Sequence, residues 1–76
     1  MTIDALRDYV EDWPPDLVAS AVASALAVHR PDITAEERPD LARMIAMALA
    51  DPEAPDPPLD PAMVAAVKRE LQKRLV

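Results

Sequence analysis

Pro15-Asp16-Leu17-Val18-Ala19-Ser20-Ala21-Val22-Ala23-Ser24-Ala25-Leu26-Ala27-Val28-His29 is the stretch that decides how this 76-residue chain folds. It opens on a proline, whose fixed φ and missing N–H suit the first position of a helix, and has no Gly or further Pro after it. Its larger apolar side chains, Leu17, Val18, Val22, Leu26 and Val28, spread around most of a helical circumference instead of keeping to one face. A helix of that kind belongs in the interior, so residues 15 to 29 are expected to form the central helix of an all-α fold. Small residues recur four apart at Ala19, Ala23 and Ala27, and at Ala21 and Ala25, which lets neighbouring helices approach closely.

Proline marks the boundaries on either side. Upstream, Ile3, Leu6, Val10 and Trp13 share one face of a helix expected over Ile3 to Asp12, with Thr2 as its N-cap. Pro14 ends it, because a residue before proline is pushed out of the α region. Downstream, Thr34-Ala35-Glu36-Glu37 has the pattern of a capping box, but Pro39 would delete a hydrogen bond from a helix begun there. A short turn is expected, then a third helix from Pro39 to about Ala50 that buries Leu41, Met44, Ile45, Ala48 and Leu49 and points Met47 away. Asp51-Pro52-Glu53-Ala54-Pro55-Asp56-Pro57-Pro58 reads as extended polyproline II, a spacer that could carry the chain about 25 Å. Asp60-Pro61 then starts a fourth helix by the N-cap and N1-proline rule, with Met63, Val64, Val67, Leu71 and Leu75 as its apolar seam. The expected fold is thus a small bundle of four short helices. Residues 1–50 form a three-helix core, 51–60 an acidic Pro-rich linker, and 61–76 a basic amphipathic helix that packs on the core, on a twin or on a partner.

Composition supports this and narrows the function. With no Gly and no Asn, the positive-φ positions of tight hairpins have no natural occupant, and neither phosphate-cradling nor calcium-binding loops can be built in their usual form. With no Cys there is neither a disulfide framework nor a thiolate site, which fits a reducing compartment; an acidic amino terminus and the lack of a long apolar run fit a cytoplasmic protein. Of 39 hydrophobic residues 15 are alanine, leaving 24 larger side chains for a core. Below ~80 residues a single core rarely supplies more than about 3–5 kcal/mol, which favours self-association.

The net charge of −6 is unevenly spread: residues 1–16 sum to −4, 17–50 to −1, 51–60 to −4 and 61–76 to +3. Asp4, Asp8 and Asp12, with Glu11 beside them, form an acidic stripe on the first helix, while Lys68, Arg69, Lys73 and Arg74 make the last helix basic. Opposite stripes predict an electrostatic rim where the first and fourth helices, or their copies in a dimer, lie side by side.

No catalytic set stands out. His29, the one histidine, falls at a helix end where an imidazole suits the dipole; Ser20 and Ser24 lie inside a helix without a nucleophile-elbow context. Asp8 with Asp12, or Glu36, Glu37 and Asp40, read more simply as solvated acidic faces than as a metal site. No cofactor is implied. A chain of this charge repels nucleic acid except along its last helix, which disfavours direct binding to DNA or RNA. The function expected is therefore a non-enzymatic protein-interaction module, an adaptor, regulator or inhibitor, that binds another protein, itself or both. Tyr9 and Trp13, the only aromatics, and the seam Met63, Val64, Val67, Leu71 and Leu75 are the contact candidates. An acidic inhibitor that imitates nucleic acid and blocks a basic groove is the alternative, and an accessory subunit of an enzyme is a third possibility.

Overall fold

Four helices form: α1 Ile3–Val10, α2 Pro15–His29, α3 Glu37–Ala50 and α4 Pro61–Lys73. The computed structural model describes residues 2–74, among which there is no strand. Thr2 caps α1 by accepting from the Ala5 N–H at 3.2 Å, and the Asp60 carboxylate caps α4 by accepting from the Met63 N–H at 2.8 Å. Pro15 and Pro61 occupy first helical positions as their sequence context predicts.

Two boundaries differ from expectation. Helix α1 ends at Val10, and Glu11 and Asp12 form a turn closed by i→i−3 bonds from Glu11 N–H to Asp8 and from Trp13 N–H to Val10. Helix α3 starts at Glu37, two residues before Pro39, because the Thr34 hydroxyl accepts from the Glu37 N–H at 3.1 Å. Pro39 then occupies the first turn, where its missing N–H costs nothing.

The central-helix reading of α2 holds in part, since Val18, Val22 and Leu26 are buried but Leu17 and Val28 are 40% and 71% exposed. It packs on both α3 and α4, while α1 packs on the same two helices, so α1 and α2 face each other across the bundle. Val18, Ala21, Val22, Ala25 and Leu26 face inward from α2, and Leu6 and Val10 from α1. From α3 come Ala42, Ile45, Ala46 and Leu49. Met44 corrects the expected burial: it is 66% exposed, as are Met47 at 64% and Val28 at 71%. Helix α3 turns Ala42 and Ala46 inward in place of Met44, so small side chains fill the contact and the long one is left outside.

Residues 51–60 are not a free spacer. Asp51 accepts from the Glu53 N–H through its carboxylate and from the Ala54 N–H through its carbonyl, making a turn. Pro57 beyond it is buried, and Leu59 packs against the core. What fastens this strap is Arg7 of α1. Its guanidinium donates to Asp56 Oδ1 at 2.7 Å, to the Ala54 carbonyl at 3.0 Å and to the Ala48 carbonyl at 3.3 Å. The Ala48 oxygen is one of the last-turn acceptors of α3, so one side chain caps a helix and holds the strap.

The α2–α3 loop carries a second fork. Arg30 Nε and Nη2 donate to the two Asp32 carboxylate oxygens at 3.1 and 3.0 Å. This contact holds the Asp32 carboxyl below the usual aspartate range. A lowered folded pKa stabilises the fold above the unfolded value of ~3.9, and that contribution is lost as pH falls through the folded value.

Two outcomes are expected. Arg7→Ala should cost about 2 kcal/mol, roughly 10 °C in Tm, because two half-buried carbonyls lose a charged donor. Asp56→Asn, which alters only the 66% exposed partner, should cost less than about 1 kcal/mol. Equal losses in thermal unfolding followed by circular dichroism would reduce the clamp to a surface ion pair. In an NMR titration Asp32 should protonate below the usual aspartate range, and Arg30→Gln should move its midpoint back up. An unmoved midpoint would show that the fork does not form in solution.

Candidate interaction surface

The last turn of α1, the first turns of α2 and the end of α3 do not close on one another. Between them lies a cleft of about 480 Å³. Val10, Val18, Ala46 and Leu49 give it an apolar floor, Trp13 forms a wall, and Asp8 and Glu11 stand at its edge. The arrangement follows from the Pro14-Pro15 break: α1 stops after 8 residues, and the turn that follows places Trp13 beside the gap. Arg7 lines the same cleft with a side chain 13% exposed, and its buried Nε has no protein acceptor among the described residues. A second, shallower depression of about 290 Å³ lies between α2 and α3, over Ala19, Ala23 and Ala42. Of the small residues on α2, Ala21 and Ala25 are buried, Ala19 and Ala23 are half-buried beside this depression, and Ala27 is exposed.

The predicted contact residues divide into three groups. Tyr9 and Trp13 come together, half-buried, with ring centroids 6.1 Å apart, and Lys68 Nζ of α4 lies 5.3 Å from the Tyr9 ring centre. Met63, Val64, Val67 and Leu71 correct the expectation of a partner-binding seam: all four are interior, between 0 and 4% exposed, because α4 packs on α2 and α1 of its own chain. Leu75 lies outside the described residues.

Within one chain the expected electrostatic rim carries no ion pair among the described residues. Helices α1 and α4 do touch, but among the described residues no ion pair joins Asp4, Asp8, Glu11 or Asp12 to Lys68, Arg69, Lys73 or Arg74. Asp4 and Asp8 project on the side of α1 opposite Leu6 and Val10, outward from the bundle, as do Glu11 and Asp12 in the following turn. On α4, Lys73 and Arg74 pair with Glu70 of the same helix at 3.6 and 3.5 Å. Arg74 also donates to the Ser20 and Ser24 hydroxyls at 3.2 and 3.1 Å, which gives these α2 serines a structural task.

His29 is exposed in the last turn of α2, and among the described residues no three His, Asp or Glu side chains converge as metal ligands. No helix among them is long and apolar enough to cross a membrane. Comparison with protein-family models, with curated proteins and with solved structures finds no match.

The cleft and the clamp were missed from sequence, yet Arg7 carries a signal. It is the only Lys or Arg among residues 1–29, set on the flank of a helix whose other charges are all acidic. A solitary cation in such a place is a candidate for a structural partner.

The placement of the α4 seam is testable by stability. Leu71→Ala should cost about 2–5 kcal/mol, enough to unfold much of so small a protein, whereas Met44→Ser or Met47→Ser should stay within roughly 0.5 kcal/mol. Urea unfolding distinguishes them; similar midpoints for Leu71→Ala and Met44→Ser would place the seam on the surface.

Proposed function

We propose that this chain is a non-enzymatic protein-interaction module that holds a short segment of another protein in the cleft between α1 and α3. The segment brings an apolar side chain for the floor and a cation for the rim. One observation carries the reading: an apolar cleft with a tryptophan wall is bordered by Asp8 and Glu11, carboxylates that no described cation pairs.

The physical case has three parts. A volume of about 480 Å³ lies in the range of ligand sites and has room for two or three side chains of an occupant. Tryptophan is over-represented among the residues that dominate binding energy, since it removes a large area from water at small entropic cost. The carboxylates steer a cationic segment toward the cleft and reject an anionic one.

The outward carboxylates of α1 also suit the second reading, an acidic mimic of nucleic acid that occupies a basic groove. The two differ in what they need from Trp13. A mimic acts through charge, whereas a cleft needs its wall and its empty volume.

Immobilised protein, challenged with native lysate, separates them through variants. Ala50→Trp fills the cleft from an exposed position, Trp13→Ala removes its wall, and Asp8→Lys with Glu11→Lys reverses its rim. The cleft reading expects a protein retained by the wild type to be lost roughly thirty-fold with either aromatic variant, the size of a hot-spot effect, and not to be displaced by DNA. Retention that survives Ala50→Trp and Trp13→Ala but falls with charge reversal and added DNA selects the mimic. Indifference to all of these variants sinks the cleft reading.

A further inference from the structure

Trp13 walls the cleft, yet it stands outside any helix, in the turn after α1, where its N–H donates to the Val10 carbonyl at 3.0 Å. That bond places the backbone and leaves the indole to its packing. The indole stacks on Tyr9, one helical turn earlier, with ring centroids 6.1 Å apart and planes 30° from parallel. Tyr9 in turn lies under the α4 ammonium of Lys68, whose Nζ is 5.3 Å from the ring centre. Among the described residues Lys68 pairs with no carboxylate, so its charge is directed at the ring.

We infer that Lys68 is the positioning residue of the α1–α3 cleft, a role that rests on the proposed use of that cleft. From a helix that lines no part of it, Lys68 holds Tyr9 where Trp13 stacks, and so keeps the wall in place. A half-buried tyrosine has staggered alternatives about its first side-chain torsion, and a cation against the ring face favours one of them. A fixed Tyr9 then offers Trp13 one stacking partner in one orientation. Helix α1 cannot supply the cation itself. Its single basic residue, Arg7, is engaged with Asp56 and Ala54 of the strap, and its other charges are acidic. The cation comes from α4, the helix that packs against α1 on this side.

The free protein reports the effect directly, because Trp13 is its only tryptophan. Acrylamide quenching of Trp13 fluorescence measures how openly the indole stands. Lys68→Met keeps the apolar stem and removes the charge. It should raise the quenching constant, by up to the roughly two- to five-fold that loss of a surface cation–π contact shifts a population. Tyr9→Leu should raise it as well. Lys68→Arg, which keeps a cation, and Arg69→Met, which removes the neighbouring charge, should both match the wild type. Quenching unchanged by Lys68→Met overturns the inference, and so does a Lys68→Arg value as high as that of Lys68→Met.

Helical circular dichroism confirms that each variant is folded. Should Lys68→Met unfold the chain, the wild type decides alone: the ring current of Tyr9 should move the Lys68 ε-methylene protons upfield of those of Lys73, the other lysine, in the NMR spectrum. Coincident resonances overturn the inference. Because quenching is read without a partner, unchanged quenching counts against Lys68 and leaves the cleft to the retention experiment. Retention indifferent to Trp13 sinks the cleft reading and leaves the Lys68 result standing.

Discussion

The contact on which the rest of this fold depends is the Arg7 guanidinium, and the reason lies in an absence. Helices commonly end on a residue in the left-handed region, where glycine alone sits without penalty. This chain has no glycine, and no described residue has positive φ. Its helix ends must be closed by other means. Helix α1 tightens into i→i−3 bonds, and α2 and α3 each add one backbone bond from a cap residue outside the helical region. One further acceptor in each of α3 and α4 goes to arginine: Arg7 reaches Ala48 from another helix, and Arg74 folds back to the Glu70 carbonyl at 2.8 Å. Arg7 is the more consequential, since it also grips Ala54 and Asp56 of the strap that leads into α4.

That grip matters because the interior is small. Among the described residues seventeen hydrophobic ones are buried and five of them are alanine, so twelve larger side chains there resist unfolding. Without many large side chains to interlock, packing relies on close approach, and the inward alanines of α2 and α3 provide it. Among the described residues no polar or charged one is fully buried in this interior. The polar anchors sit instead at its margins, in Arg7 and in the Arg74 contact with Ser20 and Ser24, where each ties two elements distant in sequence. Such anchors specify which helix lies against which, a task that a uniform layer of alanine and valine performs poorly.

How much of this was legible in the sequence depends on the range of the contact. Pro15, Asp60-Pro61 and Thr2 act on neighbours one to four residues away, so their meaning is local and could be read directly. The α4 seam was legible as a periodicity, but periodicity says only that Val64, Val67 and Leu71 need cover; that α2 of the same chain supplies it is a tertiary fact. Met44 misled because hydrophobic spacing fits two overlapping faces of α3, and the choice went to the one whose alanines permit closer packing. The strap misled for a different reason. Four prolines correctly describe residues 51–58 as non-helical, but a cation 49 positions from Asp56 decides that the segment is docked and not free. Of the candidate site, Trp13 and the acidic stripe were visible, whereas the cleft between them exists only once three helix ends have met.

The cleft and the clamp are two consequences of one short helix. At 1.5 Å per residue α1 is about 12 Å long and α2 about 22 Å, so α1 cannot cover the full length of the bundle it joins. Where it falls short, the interior would open to water. Arg7 draws the 51–56 strap across one part of the shortfall, and Trp13, carried by the turn after α1, walls another. What neither covers is the apolar floor over Val10, Val18 and Leu49. Pro14 keeps Trp13 out of the helix, so the turn that borders the opening is inherent in the order of residues 10–15. An apolar opening held in place by a double proline, beside carboxylates that face outward, is a feature that a chain selected for stability alone would have reason to fill.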